Sequence, residues 1–168
     1  MAVSGPLARS IEDLELGLRV MANHDHRDPW SMNMPLEGEA YVKRVAFCDK
    51  PEGLKVENRI RKAMREALGK LEQAGWEATE VKLPPLRKAM EHQLVLWIAE
   101  MDQGAGNLVV KENDPDAVLI YDRLKKISKY TSSDQIMFAL QERANLTRQW
   151  KKFLFDYPLL LCPVSCSL

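Results

Sequence analysis

The apolar residues at the start of the chain have helical spacing, and a loop follows them. The spacing predicts a first helix whose apolar face is formed by Ile11, Leu14, Leu18 and Met21. Ser10 and Asp13 stand three residues apart at its start, the spacing of a capping box, and Asn23 is its predicted end. Two Xaa-Pro pairs and Gly38 between residues 23 and 40 predict a loop.

A strand–helix–strand unit is predicted over residues 41–85. The apolar run Arg44 to Cys48 indicates a buried strand. Apolar residues at helical spacing then predict a helix that ends at Gly75, with one face formed by Val56, Ile60, Met64, Leu68 and Leu71. Thr79, Val81 and Leu83 alternate with charged residues and predict a second strand. Two strands joined by one helix are expected to be parallel, with a right-handed crossover.

Helices and one last strand are predicted over residues 86–168. A third helix has a wide apolar face, which indicates burial on more than one side, and it contains Leu86, Met90, Leu94, Trp97 and Met101. Residues 104–107 are expected to break it, and a short helix is predicted from Asp114 through Leu124. Thr131 to Asp134 has the pattern of a capping box, which predicts a long helix ending at Tyr157. Leu159 to Cys162 predicts a final buried strand.

Composition narrows the class of protein. The 168 residues are the size of one domain, and 24 basic and 24 acidic side chains cancel, so no global field favours nucleic acid or an anionic membrane. The longest apolar runs are far too short to span a bilayer, and no signal peptide is recognised. Three cysteines without framework spacing indicate a reducing compartment, so a cytoplasmic protein is expected.

Four groups of residues have the chemistry of a site, and each has a simpler structural interpretation. Ser132-Ser133 follows three lysines, but helix capping explains the pair better than nucleophilic catalysis. His24 and His26 are favoured as loop residues, because two histidines in a loop lack a third metal ligand. Cys162 and Cys166 are interpreted as small buried residues. The basic side chains of the last helix are interpreted as a solvated face: Arg143, Arg148, Lys151 and Lys152.

The opening motif resembles a known enzyme family. Gly5-Pro6-Leu7-Ala8-Arg9-Ser10-Ile11-Glu12-Asp13-Leu14 is similar to Gly-Pro-Met-Ala-Arg-Ser-Val-x-Asp-Leu of the amidase signature family. Three later stretches resemble that family in the same order, so that the resemblance covers nearly the whole chain: Arg44 to Phe47, Ala67 to Pro84, and Asp156 to Pro163. The resemblance implies an α/β fold, with a small, mainly parallel sheet flanked by helices.

The family resemblance also implies where the chemistry should lie. The family uses a serine nucleophile, a bridging serine and a neutral lysine, and its serines lie in a glycine-rich loop. This chain has no such loop, so the catalytic groups are expected upstream of Met1. The chain is then one partial amidase-type domain over residues 1–168, inactive alone, with no catalytic residue and no metal or cofactor. The resemblance assigns an architectural role to Gly5, Pro6, Arg9, Ser10 and Asp13.

The resemblance leaves the substrate and the assembly open. Trp97 and Met101 are the candidate residues for a wall of the substrate pocket. The expected partner is a second copy of the chain or the missing catalytic part of the fold, with neither nucleic acid nor membrane. The alternative is a self-standing, non-catalytic module that acts as an oligomeric structural or interaction unit.

Overall fold

The computed structural model describes residues 5–33, 35–38, 42–128 and 132–167. The chain divides into two compact units, Met1–Tyr41 and Val42–Leu168. The first unit contains α1 (Ile11–Met21). The second unit contains, in chain order, β1 (Arg44–Phe47), a 3₁₀ turn (Pro51–Gly53), α2 (Asn58–Gln73), β2 (Glu77–Glu80), α3 (Leu86–Gln103), α4 (Ala105–Glu112), α5 (Pro115–Ser128), α6 (Ser133–Asp156) and β3 (Leu159–Leu161).

Helix α1 begins where its sequence predicts. Ser10 has an extended backbone, and its side-chain oxygen accepts a hydrogen bond from the Asp13 amide at 3.1 Å. The ion pair that the spacing of Arg9 and Asp13 permits is not formed among the described residues. None of the described residues of α1 is buried, and Ile11 keeps 74% of its surface exposed. The apolar face of α1 is therefore exposed.

Among the described residues the sheet has three parallel strands in the order β2-β1-β3, which confirms the predicted mainly parallel sheet. Strand β2 begins two residues earlier than predicted. Its register with β1 runs from Arg44↔Glu77 to Phe47↔Glu80. The Val81 amide still donates to the Phe47 carbonyl at 3.0 Å, but Leu83 lies past the end of the ladder. Strand β3 is half-buried rather than buried, since it forms an edge of this sheet.

Helix α2 connects β1 to β2, and its apolar face is the one that the spacing predicts. Val56 and Met64 are buried, and three further members of that face are half-buried: Ile60, Leu68 and Leu71. Gly75 follows the helix with φ of +83°, a left-handed conformation that favours glycine. The turn at Gly75 brings the chain directly into β2.

The region after α3 contains one more helix than the sequence predicts. The predicted break is confirmed at Gly104, which separates α3 from α4. Residues 105–107, predicted to belong to the break, instead form the first turn of α4. Helix α5 continues past the predicted end at Leu124 to Ser128. Glycine is a poor helix former in isolation, so the packing of α4 against its neighbours decides its conformation.

Helix α6 starts at Ser133, as the serine pair predicts, but the side-chain hydrogen bond of a capping box is not formed by Ser132. Ser132 occupies the N-cap position with an extended backbone. Thr131, the first residue of the predicted box, lies outside the described residues. Within the described ranges, no helix is both long enough and apolar enough to cross a membrane.

Candidate functional site

A cavity of about 200 Å³ lies between α3, α4 and α5. We call it the α3–α5 cavity, and it is lined by Trp97, Ile98, Met101, Val109, Ala117, Ile120, Tyr121 and Leu124. Except for the indole N–H of Trp97 and the phenol oxygen of Tyr121, every side-chain atom in this lining is carbon or sulfur. Small-molecule sites in proteins typically have such apolar walls with a few polar groups. The lining can therefore hold an apolar group.

Trp97 and Met101, which the sequence singles out, lie four residues apart on α3 and line the same cavity. They face the cavity together because residues four apart project from one side of a helix. Ile98, between them, is 2% exposed and anchors this part of α3 in the core. Trp97 is 42% exposed, so it borders the cavity and solvent together.

Three polar side chains form a hydrogen-bonded group beside the cavity, which we call the Asp102 cluster (Asp102, Tyr121 and Lys125). The Tyr121 hydroxyl donates to Asp102 Oδ1 at 2.7 Å, and Lys125 Nζ donates to the same oxygen at 2.8 Å. The hydrogen bond from Lys125, followed by that from Tyr121, lowers the pKa of the Asp102 carboxyl. Burial, then the bond to Asp102, raises the pKa of the Tyr121 phenol. Asp102 thus holds Tyr121 to α3.

Gly106 allows Tyr121 to occupy its place. A Cβ atom added at Gly106 would lie 2.7 Å from Tyr121 Cζ and 2.8 Å from the Met101 carbonyl oxygen, and it would meet the Tyr121 hydroxyl oxygen more closely still. Gly106 is buried in the first turn of α4. The close approach of the phenol therefore explains a glycine inside this helix, where alanine would be the better helix former.

A second polar group lies at the carboxyl end of β1, and we call it the Asp49 cluster (Asp49, Arg61 and Arg65). Asp49 is 4% exposed, and its Oδ2 atom accepts from Arg61 Nε at 3.0 Å, from Arg61 Nη2 at 2.8 Å and from Arg65 Nη2 at 2.8 Å. Arg65 also lies over the Phe47 ring, 5.4 Å from its centre. Burial opposes ionisation of Asp49, but the hydrogen bonds from the two arginines outweigh it and lower the pKa of its carboxyl.

Glu52 ties the sheet to the first turn of α3. Its carboxylate accepts from the Leu86 amide at 3.1 Å and from the Arg87 amide at 2.8 Å. Glu52 has φ of +51° and Gly53 has φ of +74°, so two left-handed residues in succession aim this side chain at the helix. The bond satisfies amides that α3 cannot satisfy itself, and it fixes the amino-terminal end of the helix that carries Trp97.

The serine pair lacks the surroundings of a nucleophile. Lys125 precedes it in sequence, but the Lys125 ammonium bonds to Asp102, and this raises the pKa of the lysine. A lysine held in its charged form cannot serve as a general base. Lys129 lies outside the described residues. Ser132 and Ser133 therefore lie at the start of a helix, and Lys125 is not available to act as their base.

Two of the other three candidate sites, the histidine loop and the cysteines, also have ordinary contacts. In the loop after α1, His24 Nδ1 lies 3.1 Å from Ser31 Oγ, and Asp25 pairs with Arg27 at 2.6 Å. Within the ranges that the structure describes, no three histidine, cysteine, aspartate or glutamate side chains are placed to hold a metal ion. Cys48, Cys162 and Cys166 are free, and burial raises the pKa of the Cys48 and Cys162 thiols.

Sequence reasoning missed most of the cavity. Val109 lies on α4, which was not predicted, and Tyr121 lies on a helix whose packing face was not assigned. One signal was present: Tyr121 and Lys125 are four residues apart, and Asp102 comes one residue after the candidate Met101. A tyrosine and a lysine on one helix face can share one carboxylate.

Comparison with known proteins shows similarity along the whole chain. A family model described as Amidase matches residues 1–168. An indoleacetamide hydrolase of Bradyrhizobium diazoefficiens is 29% identical over 99% of this chain and 32% of its own length. The indoleacetamide hydrolase of Bradyrhizobium japonicum is 32% identical over 98% of this chain and 36% of its own length. This chain therefore spans about a third of the length of these two curated relatives.

A solved structure supports the same relationship. The structure of a fatty acid amide hydrolase superposes with a TM-score of 0.74 and 25% identity, over 98% of this chain and 31% of that protein. The two sequence relatives and this structure thus match the chain over nearly its full length, and each of them extends well beyond the matched part. The α/β fold with its small parallel sheet therefore belongs to a larger fold in these relatives.

Proposed function

The chain belongs to the amidase family, as its opening motif indicates, and we propose that it supplies a substrate-binding wall to an enzyme that hydrolyses amide bonds. The α3–α5 cavity carries this proposal, because it brings Trp97 and Met101 together in an apolar lining. In this role the two side chains hold the part of the substrate that does not react. Binding of that part positions the amide for attack.

We propose that the nucleophile comes from a different part of the enzyme. Amide hydrolysis in this family requires an activated serine hydroxyl that attacks the carbonyl carbon, followed by release of the amine and hydrolysis of the acyl-enzyme by water. Ser132 and Ser133 begin α6, and Lys125 is engaged with Asp102, which supports this division of labour. The described residues then contribute binding and scaffold, and the Asp49 cluster and Glu52 keep α2 and α3 in place on the sheet.

The names of two relatives indicate a substrate class. One hydrolyses indoleacetamide and the other a fatty acid amide, and both substrates join an apolar group to an amide. The lining of the α3–α5 cavity has the matching chemistry, because it can bury an apolar group at a gain of about 25 cal/mol for each Å² removed from water. We therefore propose an amide with an apolar acyl part as the substrate.

A chimera tests the proposal. The 168 residues replace the matching 36% of the Bradyrhizobium japonicum indoleacetamide hydrolase. We expect the purified chimera to hydrolyse a panel of aryl and alkyl primary amides, measured as released ammonia. Trp97→Ala in this chimera should lower kcat/KM by about tenfold, a cost of about 1.4 kcal/mol in transition-state stabilisation.

Two controls accompany the chimera. Leu108→Ala changes an exposed residue of α4 that does not line the cavity, and it should leave kcat/KM unchanged. Circular dichroism and size-exclusion chromatography establish that each protein is folded. A folded chimera that hydrolyses no amide of the panel would contradict the proposal, and so would an equal loss of activity in both variants.

The alternative function is an oligomeric structural module, and an edge strand of the sheet favours it. Within the part of the chain that the structure describes, β3 is an edge strand made of three leucines, and such an edge can pair with another chain. We propose that the isolated chain self-associates through this edge in a reducing, cytoplasmic environment that keeps its three cysteines free.

Sedimentation velocity at micromolar concentration tests self-association. We expect a dimer or a larger species, and Leu160→Lys should convert it to monomer because a charge at the edge opposes pairing. Lys82→Leu, outside the strands, serves as a control that should not change the distribution. A monomer that binds no hydrophobic dye would contradict this proposal.

A further inference from the structure

The α3–α5 cavity has Tyr121 in its wall, and three neighbours hold that side chain in place. Tyr121 is 7% exposed, and its hydroxyl donates to Asp102. The phenol lies so close to Gly106 that a Cβ atom at that position would clash with it. Lys125 bonds to the same carboxylate and lies 5.3 Å from the centre of the Tyr121 ring. A side chain with a buried ring and a charge-assisted hydrogen bond has little freedom to move aside.

We propose that Tyr121, fixed by Asp102 and Gly106, limits the α3–α5 cavity to compact, neutral apolar groups and excludes long alkyl chains. This inference rests on the proposed function, because it defines the class of acyl group that the site accepts. It assigns Tyr121 as a specificity-determining residue and Asp102 and Gly106 as positioning residues. The substrate class becomes the amide of a short or aromatic acid.

The volume of the cavity sets the size of the ligand. A dry cavity of about 150 Å³ lined by leucine, isoleucine and phenylalanine binds benzene in another protein. By proportion, the 200 Å³ available here holds roughly eight non-hydrogen atoms, which is one substituted ring. A chain of a dozen carbon atoms exceeds this volume while Tyr121 keeps its place, so part of the chain would stay outside the lining.

The chemistry of the lining sets the charge of the ligand. No residue in the lining carries a formal charge, and the Tyr121 hydroxyl is already bonded to Asp102. An ionised group buried against this lining would therefore lose its hydration without gaining a partner. The amide of an aromatic acid can enter with its ring, whereas the free acid can enter only if its carboxylate stays outside the cavity.

Equilibrium binding to the isolated chain tests the inference without any need for catalysis. The probes are fluorobenzene, 4-fluorotoluene and 10-fluorodecan-1-ol, followed by ¹⁹F NMR. We expect saturable binding of the two ring probes and at least about tenfold weaker binding of the alcohol, a difference of about 1.4 kcal/mol. Equal affinity for the alcohol would overturn the role of Tyr121 as a limit on size.

Tyr121→Ala should invert this preference. Removal of the ring extends the cavity, so 10-fluorodecan-1-ol should bind at least about tenfold more tightly than to the wild-type chain, while the ring probes lose affinity. General destabilisation would weaken all three probes together, so the inverted ratio separates the two effects. An unchanged ratio in a folded variant would overturn the inference.

Two glycines of the α3–α4 junction provide a matched pair. Gly106→Ala places a Cβ atom against Tyr121 and the Met101 carbonyl, whereas at Gly104 an added Cβ meets nothing within 4 Å. We expect Gly106→Ala to lower ring-probe affinity about tenfold and Gly104→Ala to leave it within about twofold. Equal effects of the two substitutions would overturn the positioning role of Gly106.

Ala117→Leu keeps the inference testable if the other variants do not fold. This substitution fills the cavity from α5 and should abolish ring-probe binding. If the ring probes bind the Ala117→Leu variant as tightly as the wild-type chain, they bind outside the α3–α5 cavity, and the inference is overturned. If the probes bind as expected but the chimera hydrolyses no amide, the cavity stands as a binding site and the proposed function fails.

Discussion

Replacement of Arg61 and Arg65 together by methionine is expected to lower the free energy of unfolding by about 3–5 kcal/mol at neutral pH. Both guanidinium groups bond to Oδ2 of Asp49, which is 4% exposed at the end of the central strand. The double variant removes both of the cations that pair with this buried carboxylate among the described residues. Removing one partner of a buried ion pair is costly for this reason.

Each single variant should lower the free energy of unfolding much less than the double variant does. In Arg61→Met, Arg65 still donates to Asp49, and in Arg65→Met, Arg61 still donates twice. The sum of the two single effects should therefore fall short of the double effect by more than about 1 kcal/mol, the signature of residues that share a partner. A control double variant, Lys62→Met with Lys70→Met, removes the same charge from exposed positions of α2. It should lower the free energy of unfolding by less than about 1 kcal/mol.

The contribution of Asp49 to the pH dependence of stability should reverse its sign in the double variant. In the wild-type chain the pKa of Asp49 is lowered, so its contribution is present above the unfolded pKa of about 3.9 and is lost as pH falls through the folded pKa. Without the arginines, burial raises the pKa of this carboxyl. Its contribution is then greatest below the unfolded pKa and is lost as pH rises through the folded pKa.

Urea denaturation between about pH 3 and pH 7 measures both effects. We expect the double variant to gain stability relative to the wild-type chain as pH falls across this range. A double variant that is as stable as the wild-type chain at neutral pH, or that keeps the wild-type pH dependence, would show that Asp49 reaches water and that the cluster does not hold α2 to the sheet.

The sequence predicts the parts of the fold that repeat a simple period. The buried run at β1, the amphipathic face of α2 and the glycine that ends it are all found in the structure. The parallel pairing of β1 and β2 also follows from the strand–helix–strand order. These features depend on residues close in sequence, where spacing alone fixes which side chains share a face.

The parts that the sequence does not predict depend on distant residues. The sequence does not predict helix α4, because glycine is a poor helix former. The reason for a glycine at position 106 is seen only in the structure, where Tyr121 lies beside it. The Asp49 cluster joins residues 12 and 16 positions apart, and Glu52 reaches amides 34 and 35 positions away. No local pattern contains such pairs, because tertiary packing brings them together.

The candidate site was predicted in part. Trp97 and Met101 do line one cavity, although their role in binding substrate stays a prediction. Their helical spacing placed them on one face, but it could not show that the face borders a cavity. Tyr121 and Val109 complete the lining from helices that the sequence left unassigned, so the chemistry and size of the site could be read only from the structure.

Binding and catalysis are expected to be separate properties of this chain, and one ligand can test both. 4-Fluorophenylacetamide combines a ring of the size that the α3–α5 cavity holds with a primary amide. Its ring should enter the cavity of the isolated chain. No hydrolysis should follow, because Ser132 and Ser133 begin a helix and Lys125 is held in its charged form by Asp102.

The decisive measurement follows the ¹⁹F signal of 4-fluorophenylacetamide together with released ammonia during prolonged incubation with the isolated chain. We expect saturable binding that Ala117→Leu abolishes, with ammonia at the level of a protein-free control. Ammonia release that Ser133→Ala eliminates would contradict the separation of binding from catalysis, because the chain would then contain its own nucleophile.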